Sequence, residues 1–262
     1  MITWHNIKSY LRWQLRARDR QGHRVHSPFL FSLITSGLHN PLEAELVHEV
    51  ERRRRQLLAD RSEVAVTDYG SGSSFGNGCR RVCDIVRHSS TSPRDGRLLY
   101  NLATAMQSAN ILELGTNLGI GSLYLAHSAN CSRLVTIEGC PNLSKIAAEG
   151  FKQLGTNNIT LINAEFSEAL PQALESLRKL DFVFIDGNHR GEPTLSYFSQ
   201  CLPFVSNDTV IVIDDIHKNA DMEFAWGKIV ENEQVTLSLD FYTMGVVFFR
   251  RQLSKQTISL RY

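Results

Sequence analysis

The feature that most narrows the fold is a rhythm in the second half of the chain. Five short β-rich runs, NILELG (110–115), RLVTIEG (133–139), NITLINA (158–164), LDFVFIDG (180–187) and DTVIVIDD (208–215), alternate with stretches of helical length such as CPNLSKIAAEGFKQLG and RGEPTLSYFSQCL. Strand and helix alternating in this way require a parallel sheet covered on both faces. The ending breaks the rhythm. VTLSLDF and MGVVFFRR lie only a few residues apart, too few for a crossover helix, so they must pair antiparallel. The expectation is an α/β fold: a doubly wound, mostly parallel seven-stranded sheet closed by a C-terminal antiparallel hairpin. The 262 residues, 42% of them hydrophobic, suffice for a large core, which we assign to a domain over 97–262 behind an N-terminal helical extension over 1–96.

In that extension Trp4, Ile7, Leu11 and Leu15 recur at spacings of three and four, with Lys8, Arg12 and Arg16 nearby on the wheel. A short basic amphipathic helix follows from the pattern, and it reads first as a docking helix with a solvated basic face. An anionic membrane surface, an acidic partner or a dimer contact are the other uses, the membrane one needing more apolar payload than the spacing offers. RRRR at 52–55 stands among Glu45, Glu49 and Glu51 and reads as a salt-bridged helix surface rather than a nucleic-acid patch. Ser27-Pro28 before an apolar run is a helix start, with His26 and Phe29 facing either a pocket or the core.

Two segments have the form of a nucleotide loop, VTDYGSGS (66–73) and ILELGTNLGIG (111–121). Such a loop needs a following helix and a second parallel strand whose end supplies an acid for ribose hydroxyls. After the first segment no apolar strand comes, so it reads as a structural loop leading into a helix that carries Cys79 and Cys83 one turn apart. After the second come the helix SLYLAHSA and the strand RLVTIEG, ending in Glu138. The nicotinamide fingerprint G-x-G-x-x-G does not fit Gly115, Gly119 and Gly121, which disfavours a nicotinamide oxidoreductase. What fits is E-x-G-x-x-x-G, and here the sequence resembles the class I S-adenosylmethionine-dependent methyltransferases, over about residues 97–250. That resemblance implies that Glu113, Gly115, Thr116, Asn117 and Gly119 lie along the methionine and ribose of the cofactor. It further implies that Glu138 takes both ribose hydroxyls and that Ala164, Glu165 and Phe166 flank the adenine.

Acids also end the next two strands, Asp186 in VFIDGNH and the pair Asp214 and Asp215 in VIVIDDIH. Adjacent parallel strands end at the same edge, so the three should converge, and such a cluster repels itself unless protonated or neutralised by a cation. Oxygen ligands of this kind suit Mg²⁺, Ca²⁺ or Mn²⁺. This section is similar to the cation-dependent O-methyltransferases of catechols and caffeoyl thioesters, which implies a metal site at Asp186, Asp214 and Asp215. Asp215 stands where those enzymes usually carry Asn, and metal dependence stays open. His189 stands where the catechol enzymes carry a lysine base; together with Asp186 it is the catalytic candidate, as base, metal ligand or positioning group. His217 is a weaker one. HSPF, DGNHR, DDIH and MGVVFF together also resemble a group of bacterial methyltransferase-like proteins, a likeness that brings no substrate.

The resulting expectation is S-adenosylmethionine-dependent methyl transfer to an oxygen of a small molecule, with a catalytically silent binding module for sensing or assembly as the alternative. A net charge of +1 gives no field to hold a phosphate backbone, so no nucleic-acid partner is expected. The five cysteines form no C-x-x-C pair and fit reduced thiols in a cytoplasmic protein. No apolar run has the length of a signal peptide core or a membrane span.

Overall fold

The computed structural model describes residues 4–17, 27–67, 69 and 78–262. Its N-terminal part is helical: α1 (Trp4–Arg16), α2 (Pro28–Ser32) continued by a wider π turn (Leu33–Gly37), and α3 (Ala44–Ala59). A small antiparallel hairpin follows, β1 (Glu63–Val66) against β2 (Gly78–Arg81), then α4 (Val82–Ser89) and α5 (Pro93–Ala105). Thereafter strand and helix alternate: β3 (Asn110–Leu114), α6 (Ile120–Ala126), β4 (Arg133–Glu138), α7 (Pro141–Gln153), β5 (Ile159–Asn163) and α8 (Phe166–Leu177). The chain continues as β6 (Leu180–Ile185), α9 (Gly191–Cys201), β7 (Val205–Asp214), α10 (Ala220–Glu231), β8 (Leu237–Asp240), β9 (Met244–Phe248) and β10 (Gln256–Ser259).

All seven strands expected from the sequence lie in one sheet, in the order β10-β8-β9-β7-β6-β3-β4-β5. The sheet has eight strands rather than seven, because β10 adds to the free edge of β8 in parallel, with Ile258 opposite Leu239. QTIS is short and mostly polar, so its pattern did not announce a strand; the open edge of β8 recruits it. The expected hairpin is present, β9 pairing antiparallel with both β8 and β7.

Alternation along each central strand sorts the core into two faces. Ile111, Phe182, Phe184, Val210, Val212, Val246 and Phe248 face one side, while Leu112, Leu114, Val183, Ile185, Ile211, Ile213 and Val247 face α8, α9 and α10. The first side is covered in part by the N-terminal extension. Leu30, Leu33, Ile34 and Leu38 of α2 and its π turn share that core with Leu98, Leu99 and Leu102 of α5. Ser27 starts α2 as the Ser-Pro signal predicts, its hydroxyl accepting from the Leu30 N–H with Pro28 in the first turn. Residue 96, where we divide the chain from its sequence, falls inside α5.

Two local readings change and one left open is decided. Cys79 and Cys83 do not share a helix: Cys79 is exposed on β2, Cys83 is buried on α4, and the pair is set by a strand-to-helix junction. Phe29 packs edge-on against Phe248 with the Arg250 guanidinium 4.2 Å over its ring, so it serves the core; His26 and most of DYGSGS lie outside the described residues. The helix α1 docks, but through its polar face. Asn6, Ser9 and Trp13 point inward, while Trp4, Ile7, Leu11 and Leu15 are exposed.

Because Leu30 is fully buried in the shared core, Leu30→Ala should cost about 2–5 kcal/mol in urea unfolding, whereas its half-exposed neighbour Phe31 should tolerate alanine at a much smaller cost. Equal costs would detach the extension from the sheet.

Candidate active site

The order of strands reverses at β3. The chain runs from β3 outward through β4 to β5, then returns to the other side of β3 as β6. At such a switch point the loops beyond the carboxyl ends diverge and leave a crevice. A cavity of about 710 Å³ lies there, lined by Gly115, Asn117, Glu138, Glu165 and Phe166, together with Asp186, His189, Asp214 and Asp215. Four expected cofactor residues do not line it: Glu113, Thr116, Gly119 and Ala164.

The floor is built by close approach. Gly115 has φ +106°, and a Cβ there would stand 1.9 Å from the Asp186 carbonyl oxygen. Only glycine permits both the dihedral and the contact. Gly119, at φ +83°, opens α6 and backs onto Phe151 instead of the cavity. Between them Asn117 takes φ +51°, its N–H donating to Glu138 Oε2 at 2.8 Å and its side-chain amide to the Ser89 carbonyl at 2.7 Å. Glu138 Oε1 accepts the Cys140 N–H, also at 2.8 Å. The carboxylate is thus held by one backbone donor on each oxygen.

Glu113 is turned the other way. It is 1% exposed, accepts hydrogen bonds from Ser122 and, at 2.6 Å, from Thr136, and Thr136 in turn meets Thr116 at 2.6 Å. Burial pushes its carboxyl up to about 7 against these hydrogen bonds. Glu113 and Thr116 therefore brace β3 against β4 and α6 beneath the loop. A strand residue before a glycine loop alternates inward or outward, and the E-x-G spacing alone does not say which.

On the far side Phe166 packs across Gly187, where a Cβ would stand 2.4 Å from its ring, and meets Tyr197 edge-on at 5.6 Å. Asn188 donates to the Tyr197 hydroxyl at 3.1 Å. Left-handed backbone gathers here: of the seven non-glycine residues with positive φ among those described, Asn117, Asn188, His189 and Asp215 line the cavity. Such conformations are costly and cluster at functional sites.

The acids do meet. Asp186 and Asp214 share a side-chain hydrogen bond, and burial together with the repulsion of the neighbouring Asp215 raises both, Asp186 to about 7. His189 lies between them and the solvent, Nε2 3.7 Å from Asp186 and Nδ1 3.5 Å from Asp215. Asp215 turns away to Lys218, whose ammonium stands 2.7 Å from its Oδ2. These residues do not fit a divalent cation: the first two carboxyls are spent on each other, the third holds an ammonium, and among the described residues no three His, Cys, Asp or Glu side chains are disposed to hold a metal. In this arrangement the metal ligands expected at Asp186, Asp214 and Asp215 meet one another and Lys218, which brings a positive charge beside them.

His217 is not at the cavity. It bridges Glu223 (2.8 Å) and Asp240 (3.0 Å) and stacks on Tyr242. Burial opposes its charge, but the two carboxylates outweigh it and raise its pKa. Sequence reasoning missed Tyr69, Thr91, Asp95, Tyr197, Lys218 and Met244, all of which line the cavity. Only Lys218 carried a signal, three residues past Asp215 at a strand end.

Residues 112–216 match the family model described as a methyltransferase domain. Over that segment the chain is similar to methyltransferases. A catechol O-methyltransferase of Niastella koreensis is 32% identical over 130 residues, 48% of this chain and 58% of that protein. One of Mycobacterium tuberculosis is 28% identical over 127 residues, 48% of this chain and 56% of that protein. The chain thus spans little more than half the length of these relatives. Among solved structures, the O-methyltransferase of Bacillus cereus in complex with S-adenosylhomocysteine aligns at TM-score 0.54 and 19% identity, over 84% of this chain and 96% of that one. TomG, the O-methyltransferase of Streptomyces achromogenes in complex with S-adenosylmethionine, aligns at 0.56 and 20%, over 84% and 94%. These likenesses establish the fold.

The raised carboxyls make the folded protein bind more protons than the unfolded chain between the ordinary carboxylate range and about 7, so their contribution to stability is full at low pH and is lost as pH rises through that window. Asp214→Asn keeps a donor for Asp186 and removes one charge. It should raise Tm at about pH 8 and have little effect at about pH 5, as differential scanning calorimetry would read; a uniform shift would sink the shared-proton account.

Proposed function

We propose that this methyltransferase moves the methyl group of S-adenosylmethionine to an oxygen of a small aromatic or hydroxylated molecule, without a divalent cation. The reading is carried by Glu138. It ends the second strand of the switch point beside the glycine loop, and a backbone N–H on each oxygen fixes the carboxylate at the cavity wall, where the switch-point fold presents an acid to a pair of vicinal hydroxyls. The Gly115 floor suits a ligand that must lie against bare backbone, and Phe166 offers an apolar ring at the adenine end. Catechol O-methyltransferases among the relatives favour an oxygen acceptor.

When bound, the sulfonium supplies an activated methyl; the acceptor oxygen forms the new bond while the carbon–sulfur pair returns to sulfur. What the chain must do is align the hydroxyl and remove its proton. His189 takes that proton, flanked by Asp186 and Asp215, which stabilise the imidazolium. Lys218 lowers the negative charge of the acid cluster and, reaching the same cavity, offsets the developing acceptor oxyanion. The N-terminal extension caps the cavity on the acceptor side through Thr67, Tyr69, Arg80, Thr91 and Asp95, which line it. A silent binding module has no observation in its favour.

Calorimetric titration with S-adenosylhomocysteine should give micromolar binding unaffected by chelator, and Glu138→Ala should weaken it about tenfold or more. Unchanged affinity would remove the ribose assignment. In an assay against catechols and phenols, His189→Ala should lower kcat by about 10²–10⁴ and leave S-adenosylhomocysteine affinity intact; full turnover would remove His189 as base, and activity abolished by chelator and restored by Mg²⁺ would overturn the metal-free reading.

A further inference from the structure

An amphipathic helix on a globular protein normally turns its apolar stripe to the core and its charges to water. The helix α1 does the reverse. Its inward face is polar and is satisfied in full view of the fold. Asn6 donates to the Lys218 carbonyl at 3.0 Å, and Ser9 bonds both His217 and the Glu223 carboxylate. Trp13 donates to the Asp240 carbonyl at 3.0 Å, and the Tyr242 hydroxyl reaches back to the Asn6 carbonyl at 3.1 Å. These bonds come from α10, the β7–α10 loop and the end of β8, so the helix is held at several points along its length.

The stripe that sequence periodicity would send inward is left outside. Trp4 is 83% exposed, Ile7 41%, Leu11 57% and Leu15 89%. Lys8, Arg12 and Arg16 run beside it, each one position after Ile7, Leu11 and Leu15, and all three are exposed. No acidic residue occurs between Trp4 and Arg16. On α10 the residue after Glu223, Phe224, is also exposed at 62%, with the Lys228 ammonium 5.6 Å from its ring centroid.

We propose that the outward face of α1 docks this methyltransferase on an anionic phospholipid surface; the whole stripe stays exposed and Phe224 of α10 adds to it, so more apolar surface is available than the spacing alone offers. A helix lying in the interface plane sinks its apolar side chains to the headgroup boundary while flanking Lys and Arg engage lipid phosphates, and Trp is favoured at that depth. The charge pattern selects this occupant over a second copy of the chain. In a twofold contact the same stripe meets itself, bringing Lys8, Arg12 and Arg16 of two helices together with no acid on either to offset them. The rigid polar docking of the inner face keeps the stripe pointed away from the body, so binding needs no unfolding of α1.

The test uses the full chain with vesicles of phosphatidylcholine alone and of phosphatidylcholine containing phosphatidylglycerol. Sedimentation with the anionic vesicles and a blue shift of tryptophan emission are expected, with at least about tenfold weaker binding to the neutral ones. The double variant Leu11→Asp, Leu15→Asp should lose binding, and Lys8→Glu, Arg12→Glu should lose the preference for anionic lipid. Both pairs are exposed, so Tm should stay near that of the parent chain. Binding equal on both vesicle types, or absent from both, would overturn the proposal. So would a concentration-dependent dimer in light scattering that the leucine variants abolish, since the stripe would then belong to a second copy.

Discussion

At the switch point β3 and β6 run so close that a Cβ on Gly115 would stand 1.9 Å from the Asp186 carbonyl oxygen. The contact is bridged on its other side by the Asp186 N–H, which donates to the Leu114 carbonyl at 2.8 Å. The two strand ends are therefore locked together at the residue where both chains leave the sheet. Everything that faces the cavity is referred to this lock: the loop through Asn117 to Glu138 on one side, and the turn through Asn188 to His189 on the other. A side chain at Gly115 would push the two walls apart by displacing backbone, which yields less readily than a rotamer.

Most of the sheet was legible because β strands buried on both faces leave long apolar runs and parallel strands force helices between them. Glu138 was legible for the same reason: it is the residue at which an apolar strand meets a glycine. What was not legible is side-chain direction. Glu113 and Glu138 are both acids at strand ends, yet one is 1% exposed beneath the loop and the other faces the cavity, a difference decided by pleat and by the partners Ser122 and Thr136. β10 escaped because an edge strand needs no hydrophobic pattern when a neighbouring edge supplies hydrogen bonds. Lys218 escaped as a cavity residue because a lysine in a polar loop is usually solvated, whereas here it pairs with Asp215, whose backbone is left-handed at φ +55°.

The acid cluster shows which electrostatic effect prevails at the sheet edge. Three carboxylates and Glu138 at close quarters cannot all be charged without a compensating cation. Here two things relieve it: burial and mutual repulsion raise Asp186 and Asp214, which favours a proton on that pair, and an ammonium stands on Asp215. A divalent ion would have to displace both. That division leaves His189 beside two carboxyl groups with unequal duties, one protonated in part and one ion-paired. An imidazole so placed gains stabilisation on protonation from either.

The five residues from Asp214 to Lys218 connect the cavity to the outer face of the protein. Asp214, Asp215 and Lys218 line the cavity, whereas the His217 ring and the carbonyls of His217 and Lys218 anchor α1. Lys218 takes part in both, its ammonium reaching Asp215 and its carbonyl accepting from Asn6. The helix that carries the exposed apolar stripe is thus one hydrogen bond from the cation that balances the acid cluster. Removing α1 would strip the carbonyls of His217 and Lys218 of the Asn6 amide and leave His217 with Glu223 and Asp240 alone, and the loop would have to satisfy those carbonyls from water. Lys218 is thus held from two sides, by the turn that returns its N–H and ammonium to Asp215 and by the Asn6 amide on its carbonyl, so the polar face of α1 and the acid cluster share one loop.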